Sequence, residues 1–166
     1  MVFYRMKQFY WAIIAKINKD DVDFIKYILN IKELKLFNKL SVQEQKHSVK
    51  VAYDVQNICN NKYKAVNINL LLKGALLHDI GKIYGRLNII DKSIVVLGDK
   101  FSRGRLKKFS TNKKINVYYN HAKLGKKLLG KIEKDDRLLY LVENHHNEKI
   151  IDDLELDILR YCDKRN

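Results

Sequence analysis

Proline is absent from this chain of 166 residues, and its seven glycines all follow residue 73. Proline interrupts helices because it lacks a backbone N–H and clashes with the preceding turn. Its absence therefore removes the usual helix breaker. Apolar residues recur at helical spacing along the chain, whereas no convincing stretch has the alternation of period two that half-buried strands show. The sequence predicts an all-α protein.

The helices are expected where apolar periodicity and capping residues coincide. Asp20 or Asp21 is a candidate cap for the second helix, and Ser41 with Glu44 has the form of a capping box. We predict that N-terminal helices within residues 1–40 pack on a domain spanning 41–166, which together make one globular unit. The predicted helical ranges are 3–17, 21–37, 42–60, 68–84, 92–109, 117–130, 135–146 and 152–164.

Long apolar runs and paired cysteines are also missing. No run approaches the roughly 20 apolar residues of a bilayer-spanning helix. The longest N-terminal run, 9–15, lacks a following small-x-small cleavage pattern, which favours an amphipathic helix packed on the domain over a signal peptide. An interfacial membrane helix is the alternative. Cys59 and Cys162 form no C-x-x-C pair, so we expect free, buried thiols and a cytoplasmic protein.

Acidic residues are missing between Lys100 and Ile132, a segment in which eleven residues are basic. We call this segment the basic block. The chain carries a net charge of +14 with 26 lysines and 7 arginines, so a lysine-rich solvated face is one interpretation. The other is a surface that steers an anionic substrate. The candidate steering residues are Arg103, Arg105, Lys107 and Lys108.

Histidines are few, but their positions along the chain are informative. Five occur, on four different predicted helices, and two aspartates accompany them: His47, His78, Asp79, His121, His145, His146 and Asp163. Imidazole is a common metal ligand, and carboxylates complete sites for hard or borderline metals. Metal sites in helical bundles are built from side chains that several helices direct inward. Each residue alone is a weak signal, but the joint pattern indicates a metal site.

The order of these residues resembles that of the HD-domain metal-dependent phosphohydrolases, which have an all-α fold. The matching segments are "EQKHSVKVAYDV" at His47, "ALLHDIGKI" at His78–Asp79, "YYNHAKLGKKLL" at His121, "LVENHHNEK" at His145–His146 and "DILRYCDKRN" at Asp163. The resemblance covers roughly residues 40–166. Its five histidines look like those of the HDIG subgroup of two-metal type, which is related to the HD-GYP phosphodiesterases.

The resemblance implies a dinuclear site for divalent ions, with Fe, Mn, Co, Ni, Zn and Mg as candidates. It assigns one ion to His47, His78, Asp79 and Asp163, makes Asp79 the bridge, and assigns the other ion to His121 and His145. His146 is either a further ligand or a residue that faces the substrate. The ions would compensate for burying His78 and Asp79 among apolar neighbours.

Lys82 follows the His-Asp pair by one helical turn. If the helix continues through Gly81, its ammonium group points toward the same site. There it would hold a substrate phosphate or carry a proton. The alternative is an ordinary solvated lysine.

The resemblance predicts hydrolysis of a phosphomonoester or phosphodiester, with a nucleotide as the favoured substrate. Without proline, the chain lacks the Gly-Tyr-Pro signature of HD-GYP proteins, which puts cyclic di-GMP in doubt. Nucleic acid is less favoured, because no interleaved RNA-binding aromatic motif is present. Two alternatives stay open: a di-iron oxygenase similar to myo-inositol oxygenase, and a non-catalytic module that binds nucleotides or nucleic acid.

Overall fold

The computed structural model describes residues 16–62, 66–85 and 111–166, together with 95, 98–99, 101–102, 105 and 109. A 3₁₀ helix, Ile80–Tyr84, lies between the α-helices Ile68–Leu77 and Lys113–Leu129. No strand occurs in the described ranges, and the all-α prediction is confirmed. The α-helices with defined bounds are α1 (Lys19–Ile28), α2 (Ile31–Phe37), α3 (Val42–Lys62), α4 (Ile68–Leu77), α5 (Lys113–Leu129), α6 (Asp136–Asn144) and α7 (Leu154–Arg165).

The single helix predicted over 21–37 is wrong, because the chain forms two helices there. Asn30 has extended backbone geometry, and its side chain accepts the backbone N–H of Glu33 at 3.0 Å, which begins α2. Asn18 begins α1 in the same way, through the N–H of Asp21 at 2.8 Å. Asp21 is therefore the third residue of a capping box rather than the cap itself.

Helix α3 begins as predicted. The Ser41 N–H donates to the Glu44 carboxylate at 3.1 Å, and the Glu44 N–H donates to Ser41 Oγ at 3.3 Å. Helices α5 to α7 lie within a few residues of their predicted ranges. The predicted helix over 3–17 falls almost wholly outside the described residues, and the one over 92–109 falls mostly outside them.

Helix α4 is the central helix of the described fold. Every residue from Leu70 to Leu77 except Lys73 is buried, and α4 packs against α1, α3, α6 and α7. A helix that is apolar on nearly all sides is stable only when other elements surround it. Its carboxyl end, which leads into His78, therefore lies inside the protein.

The α-helical geometry of α4 ends at Leu77, earlier than the predicted range of 68–84. Asp79 has φ −93° and ψ 7°, and the tighter 3₁₀ helix follows. This segment crosses α5 so closely that a Cβ on Gly81 would lie 2.0 Å from the carbonyl oxygen of His121 and 2.6 Å from the backbone nitrogen of Gly125. Only glycine fits this crossing. The crossing brings the His-Asp pair against the helix that carries His121.

The described N-terminal helices pack on the same core. Phe37 of α2 is fully buried within it. The buried carboxylate of Glu33 accepts from Lys73 of α4 at 2.9 Å, and Asp21 of α1 pairs with Lys46 of α3 at 2.5 Å. The helices before residue 41 therefore brace α3 and α4, whereas a boundary between residues 40 and 41 stays a prediction.

Cys59 and Cys162 are both buried and unbonded, as predicted. Within the described ranges, no helix combines the length and the apolarity that crossing a bilayer requires.

Candidate metal centre

The predicted ligands converge on one place in the fold. His47 lies on α3, His121 on α5 and Asp163 on α7, while two other contributions follow helix ends. His78 and Asp79 come directly after α4, and His145 and His146 come directly after α6. Five separate segments thus direct histidine or aspartate side chains toward each other.

His47, His78 and Asp163 form what we call the first ligand group. One potential ligand atom from each lies within 4.8 Å of the others. Asp163 Oδ1 is 3.0 Å from His47 Nε2 and 3.5 Å from His78 Nε2. Two imidazole nitrogens and a carboxylate oxygen are a suitable donor set for a divalent ion.

His121, His145 and His146 form the second ligand group, again with ligand atoms within 4.8 Å of one another. His121 Nε2 and His146 Nε2 are 3.1 Å apart. The rings of His145 and His146 have centroids 4.1 Å apart. His146, for which the sequence left two roles open, thus lies among the candidate ligands.

Asp79 lies between the two groups and directs one oxygen toward each. Its Oδ1 is 3.3 Å from His121 Nε2. Its Oδ2 is 3.4 Å from His78 Nε2 and 3.9 Å from His47 Nε2. This position is the one that a carboxylate bridging two ions needs.

Backbone carbonyls orient three of the imidazoles. Nδ1 of His78 donates to Ala75 O at 2.8 Å, and Nδ1 of His145 donates to Val142 O at 2.8 Å. Nδ1 of His121 makes the same bond, to the carbonyl three residues earlier at 3.1 Å. Such bonds fix the ring and direct Nε2 toward a metal.

Three buried polar atoms at this place have no hydrogen-bond partner among the described residues: His78 Nε2, His145 Nε2 and Asp79 Oδ1. An unsatisfied buried polar atom costs roughly 1–3 kcal/mol. All three are atoms that ligate metals, and they belong to the two ligand groups or to the carboxylate between them. The site therefore fits divalent ions.

Electrostatics differ between the histidines. Burial alone lowers the pKa of His78, but the negative charges of Asp79 and Asp163 raise it to about 10. Burial lowers the pKa of His121 to about 4, and the charge of Lys82 acts in the same direction. Burial, together with the charge of His78, also holds the pKa of His145 well below its ordinary value. The second ligand group is therefore neutral at pH 7 and ready to ligate.

Lys82 lies beside the Asp79 carboxylate. Its ammonium group donates to Asp79 Oδ2, and only 22% of its side chain is exposed. Burial lowers the pKa of this ammonium, but the Asp79 carboxylate outweighs burial and raises it. The 3₁₀ geometry sets this position, because Lys82 is three residues from Asp79 in a tight turn. Lys82 thus lies among the candidate ligands with most of its side chain shielded from solvent, and its role there stays a prediction.

Only one of the four candidate steering residues lies among the described residues. Arg105 is exposed, whereas Arg103, Lys107 and Lys108 lie outside the described residues. On α5, Lys123 and Lys127 are exposed, and Lys126 pairs with Glu143 at 2.6 Å. The exposed cations are compatible with both interpretations of the basic block, and steering stays a prediction.

Sequence reasoning missed Arg160, a buried arginine on α7 close to the double histidine. Its contacts are mostly with backbone carbonyls. No residue pattern signals such contacts, because every residue type offers the same carbonyl.

The HD-domain family model matches residues 45–165, a range that contains both ligand groups and Asp79. This chain belongs to the HD-domain family. Its placement in the HDIG subgroup and its relation to HD-GYP proteins stay predictions.

A curated relative is the "CRISPR system single-strand-specific deoxyribonuclease Cas10/Csm1 (subtype III-A)" of Methanocaldococcus jannaschii. It is 39% identical over 104 residues, which cover 62% of this chain but only 10% of the relative. The chain thus spans about a tenth of that relative's length. No solved structure matches the chain.

Proposed function

We propose that this HD-domain chain is a metal-dependent phosphohydrolase that binds two divalent ions. The observation that carries the proposal is the position of Asp79, with one carboxylate oxygen 3.3 Å from the second ligand group and the other 3.4 Å from the first. A single-metal site has no need for the second group. The conjunction of two groups with one shared carboxylate favours a dinuclear centre.

In this proposal His47, His78 and Asp163 would hold one ion, the second ligand group would hold the other, and Asp79 would be available to both. Bound there, divalent ions would lower the pKa of a coordinated water and neutralise charge on a phosphoryl group. The protein's own contribution is to fix the ligands, which it does through the backbone carbonyls that orient His78, His121 and His145.

Lys82 is the proposed contact to the substrate phosphate. Its ammonium group lies at the bridging carboxylate, and its side chain is partly exposed, so a phosphate oxygen can reach it. A lysine there supplies a compact positive charge to the phosphate. His146 is the most exposed of the ligand candidates, with 52% of its side chain accessible. It is proposed as a ligand of the second ion at the mouth of the site.

Phosphodiesters of single-stranded DNA are the substrate class that the relative favours, because that relative is named as a single-strand-specific deoxyribonuclease. The basic block supports a polyanionic substrate through its charge. A small nucleotide ester is the other candidate, since the same charge attracts either. Both classes use the same metal centre and Lys82.

A turnover screen tests the proposal. Purified chain is incubated with single- and double-stranded DNA, linear and cyclic nucleotides and generic phosphate esters, each with Mn²⁺, Fe²⁺, Co²⁺ or Mg²⁺. We expect hydrolysis that chelation abolishes and that Asp79→Ala lacks, with single-stranded DNA preferred over duplex.

Binding without turnover under every metal would contradict the proposal and favour a non-catalytic module. Oxygen uptake by the iron-loaded protein, with no phosphoester cleaved, would contradict it in favour of a di-iron oxygenase. If the inactive Asp79→Ala variant has the melting temperature of wild type, its loss of activity does not come from loss of folding.

A further inference from the structure

Arg160 is buried beside the double histidine, although arginine is one of the residues least often buried. Only 8% of it is exposed, and it lies on α7, three residues before the ligand candidate Asp163. A buried guanidinium needs hydrogen-bond acceptors, because an unpaired buried charge is strongly destabilising. The acceptors that it has identify its role.

Most of these acceptors are backbone carbonyls of the segment that carries the histidines. Nη1 donates to Ile150 O at 2.9 Å, and Nη2 donates to Asn144 O at 3.4 Å and also to Asn147 O. The remaining acceptor is the carboxylate of Asp157, one turn earlier on α7, at 3.2 Å from Nη1.

These carbonyls lie on both sides of His145 and His146. Asn144 is the last residue of α6, whose final carbonyls have no partner within the helix. Asn147 follows the histidine pair directly. A planar guanidinium with several donors in a fixed fork ties the two flanks together. The backbone of the pair is thereby fixed to the helix that carries Asp163.

We propose that Arg160 is a positioning residue that sets the second ligand group against the first. It holds the His145–His146 backbone at a fixed distance from α7, and so from Asp163. This inference rests on the proposed dinuclear function, since it concerns the ligands of the second ion. It predicts that weakening the contacts of Arg160 lowers the affinity for the second ion and leaves the affinity for the first ion unchanged.

Arg137 provides a matched control. It also joins α6 to α7, but at the end of α6 away from the histidines, where it pairs with Asp153 at 2.6 Å and with Glu155 at 2.8 Å. Changing Arg137 therefore perturbs the same pair of helices without touching the carbonyls that flank the histidine pair. A purely structural role for Arg160 predicts the same metal binding in both variants.

The experiment is calorimetric titration of metal-free full chain with Mn²⁺. Wild type, Arg160→Lys and Arg137→Lys are compared, and His121→Ala identifies the first site. Lysine keeps the charge but cannot reproduce the fork. We expect Arg160→Lys to lower the affinity for the second Mn²⁺ by about tenfold or more, which is the range seen when the hydrogen bonds that support a metal ligand are lost. The first Mn²⁺, and both Mn²⁺ ions in Arg137→Lys, should bind as in wild type.

Equal second-site affinity in Arg160→Lys and wild type would overturn the inference while leaving the dinuclear proposal intact. One Mn²⁺ in wild type would instead overturn the proposed function. If Arg160→Lys does not fold, Arg160→Ala is titrated with and without guanidinium ion, which should restore the second site. Failure of both variants to fold would make Arg160 a residue of the fold rather than of the site, and would also overturn the inference.

Discussion

Both ligand groups contain histidines, but the groups differ in charge. The first contains a carboxylate, Asp163, that accepts from His47 at 3.0 Å. The second consists of three imidazoles, one of them half exposed, and its nearest carboxylate is the shared Asp79. A divalent ion gains more from a group that carries its own negative charge. Once His78 has lost its proton, we therefore expect the first group to hold its ion more tightly and the second to exchange its ion more readily.

The groups also differ in what they must release before binding. Asp79 and Asp163 raise the pKa of His78 to about 10, so the first group carries an imidazolium at pH 7. Burial lowers the pKa of His121 to about 4, so the second group carries none there. A metal displaces protons from its ligands. The first ion must therefore displace a proton from its ligands at pH 7, whereas the second ion need not.

The largest expected effect removes the residue that the two groups share. Asp79→Ala should lose both ions and all metal-dependent activity, because Asp79 is the carboxylate with one oxygen within 3.4 Å of each group. Metal content after dialysis, measured by elemental analysis, tests this prediction. Asp23→Ala, an exposed aspartate on α1, is the control and should keep both ions. An Asp79→Ala protein that retains one tightly bound ion would show that the groups are independent.

Lys82→Ala sharpens the comparison by separating metal binding from substrate binding. It should keep both ions and the fold but lower kcat/KM by about tenfold or more, equivalent to about 1.4 kcal/mol of transition-state stabilisation. Steady-state kinetics at saturating Mn²⁺ measure the loss. Lys26→Ala, an exposed lysine on α1 and outside the basic block, is the matched control and should leave kcat/KM within error. An unchanged kcat/KM in Lys82→Ala would remove the lysine from the proposed phosphate contact.

Proton release distinguishes the groups directly. At pH 6 the first Mn²⁺ should release about one proton, from His78, and the second should release less, because an ion-bound water with a pKa of about 7 stays mostly protonated there. The sign follows from the two pKa shifts, because only a group protonated at that pH has a proton to lose. Titration calorimetry in buffers with different ionisation enthalpies counts the protons at each step. Equal release at both steps would contradict the electrostatic contrast between the groups.

The smallest expected effect lies outside both groups, in the basic block. Charge reversal at Arg103, Arg105, Lys107 and Lys108 should lower kcat/KM by about threefold or more at low salt, because the block would no longer attract an anionic substrate. The difference should fade as salt rises, since exposed charges are screened over about 8 Å at physiological salt. Kinetics across a salt series, with melting temperature as the folding control, test this. If the kcat/KM values of wild type and the charge-reversal variant coincide at low salt, the basic block does not steer substrate and its charge reflects lysine-rich composition alone.

Sequence patterns predicted the all-α fold and the convergence of the histidines and aspartates, because helix periodicity and ligand type are visible in the residues themselves. The break between α1 and α2 was missed, since Asn30 competes with the helix through a side-chain hydrogen bond inside an unbroken apolar pattern. The early end of α4 was missed for a different reason. The crossing at Gly81 depends on the backbone of α5, forty residues away.

Within the site, the sequence predicted the candidate ligands but not the groups that orient them. The carbonyls that fix His78 and His145, and the arginine that spans the flanks of the histidine pair, act through the backbone. Backbone groups are the same at every residue, so only the folded chain reveals which of them serve the site.

The metal count in wild type and His121→Ala tests the central claim most directly. Each protein is saturated with Mn²⁺, freed of excess metal by gel filtration and analysed for Mn²⁺ per chain. The shared position of Asp79 between two groups predicts about two ions in wild type and about one in His121→Ala. One ion in wild type, unchanged by His121→Ala, would contradict the dinuclear centre.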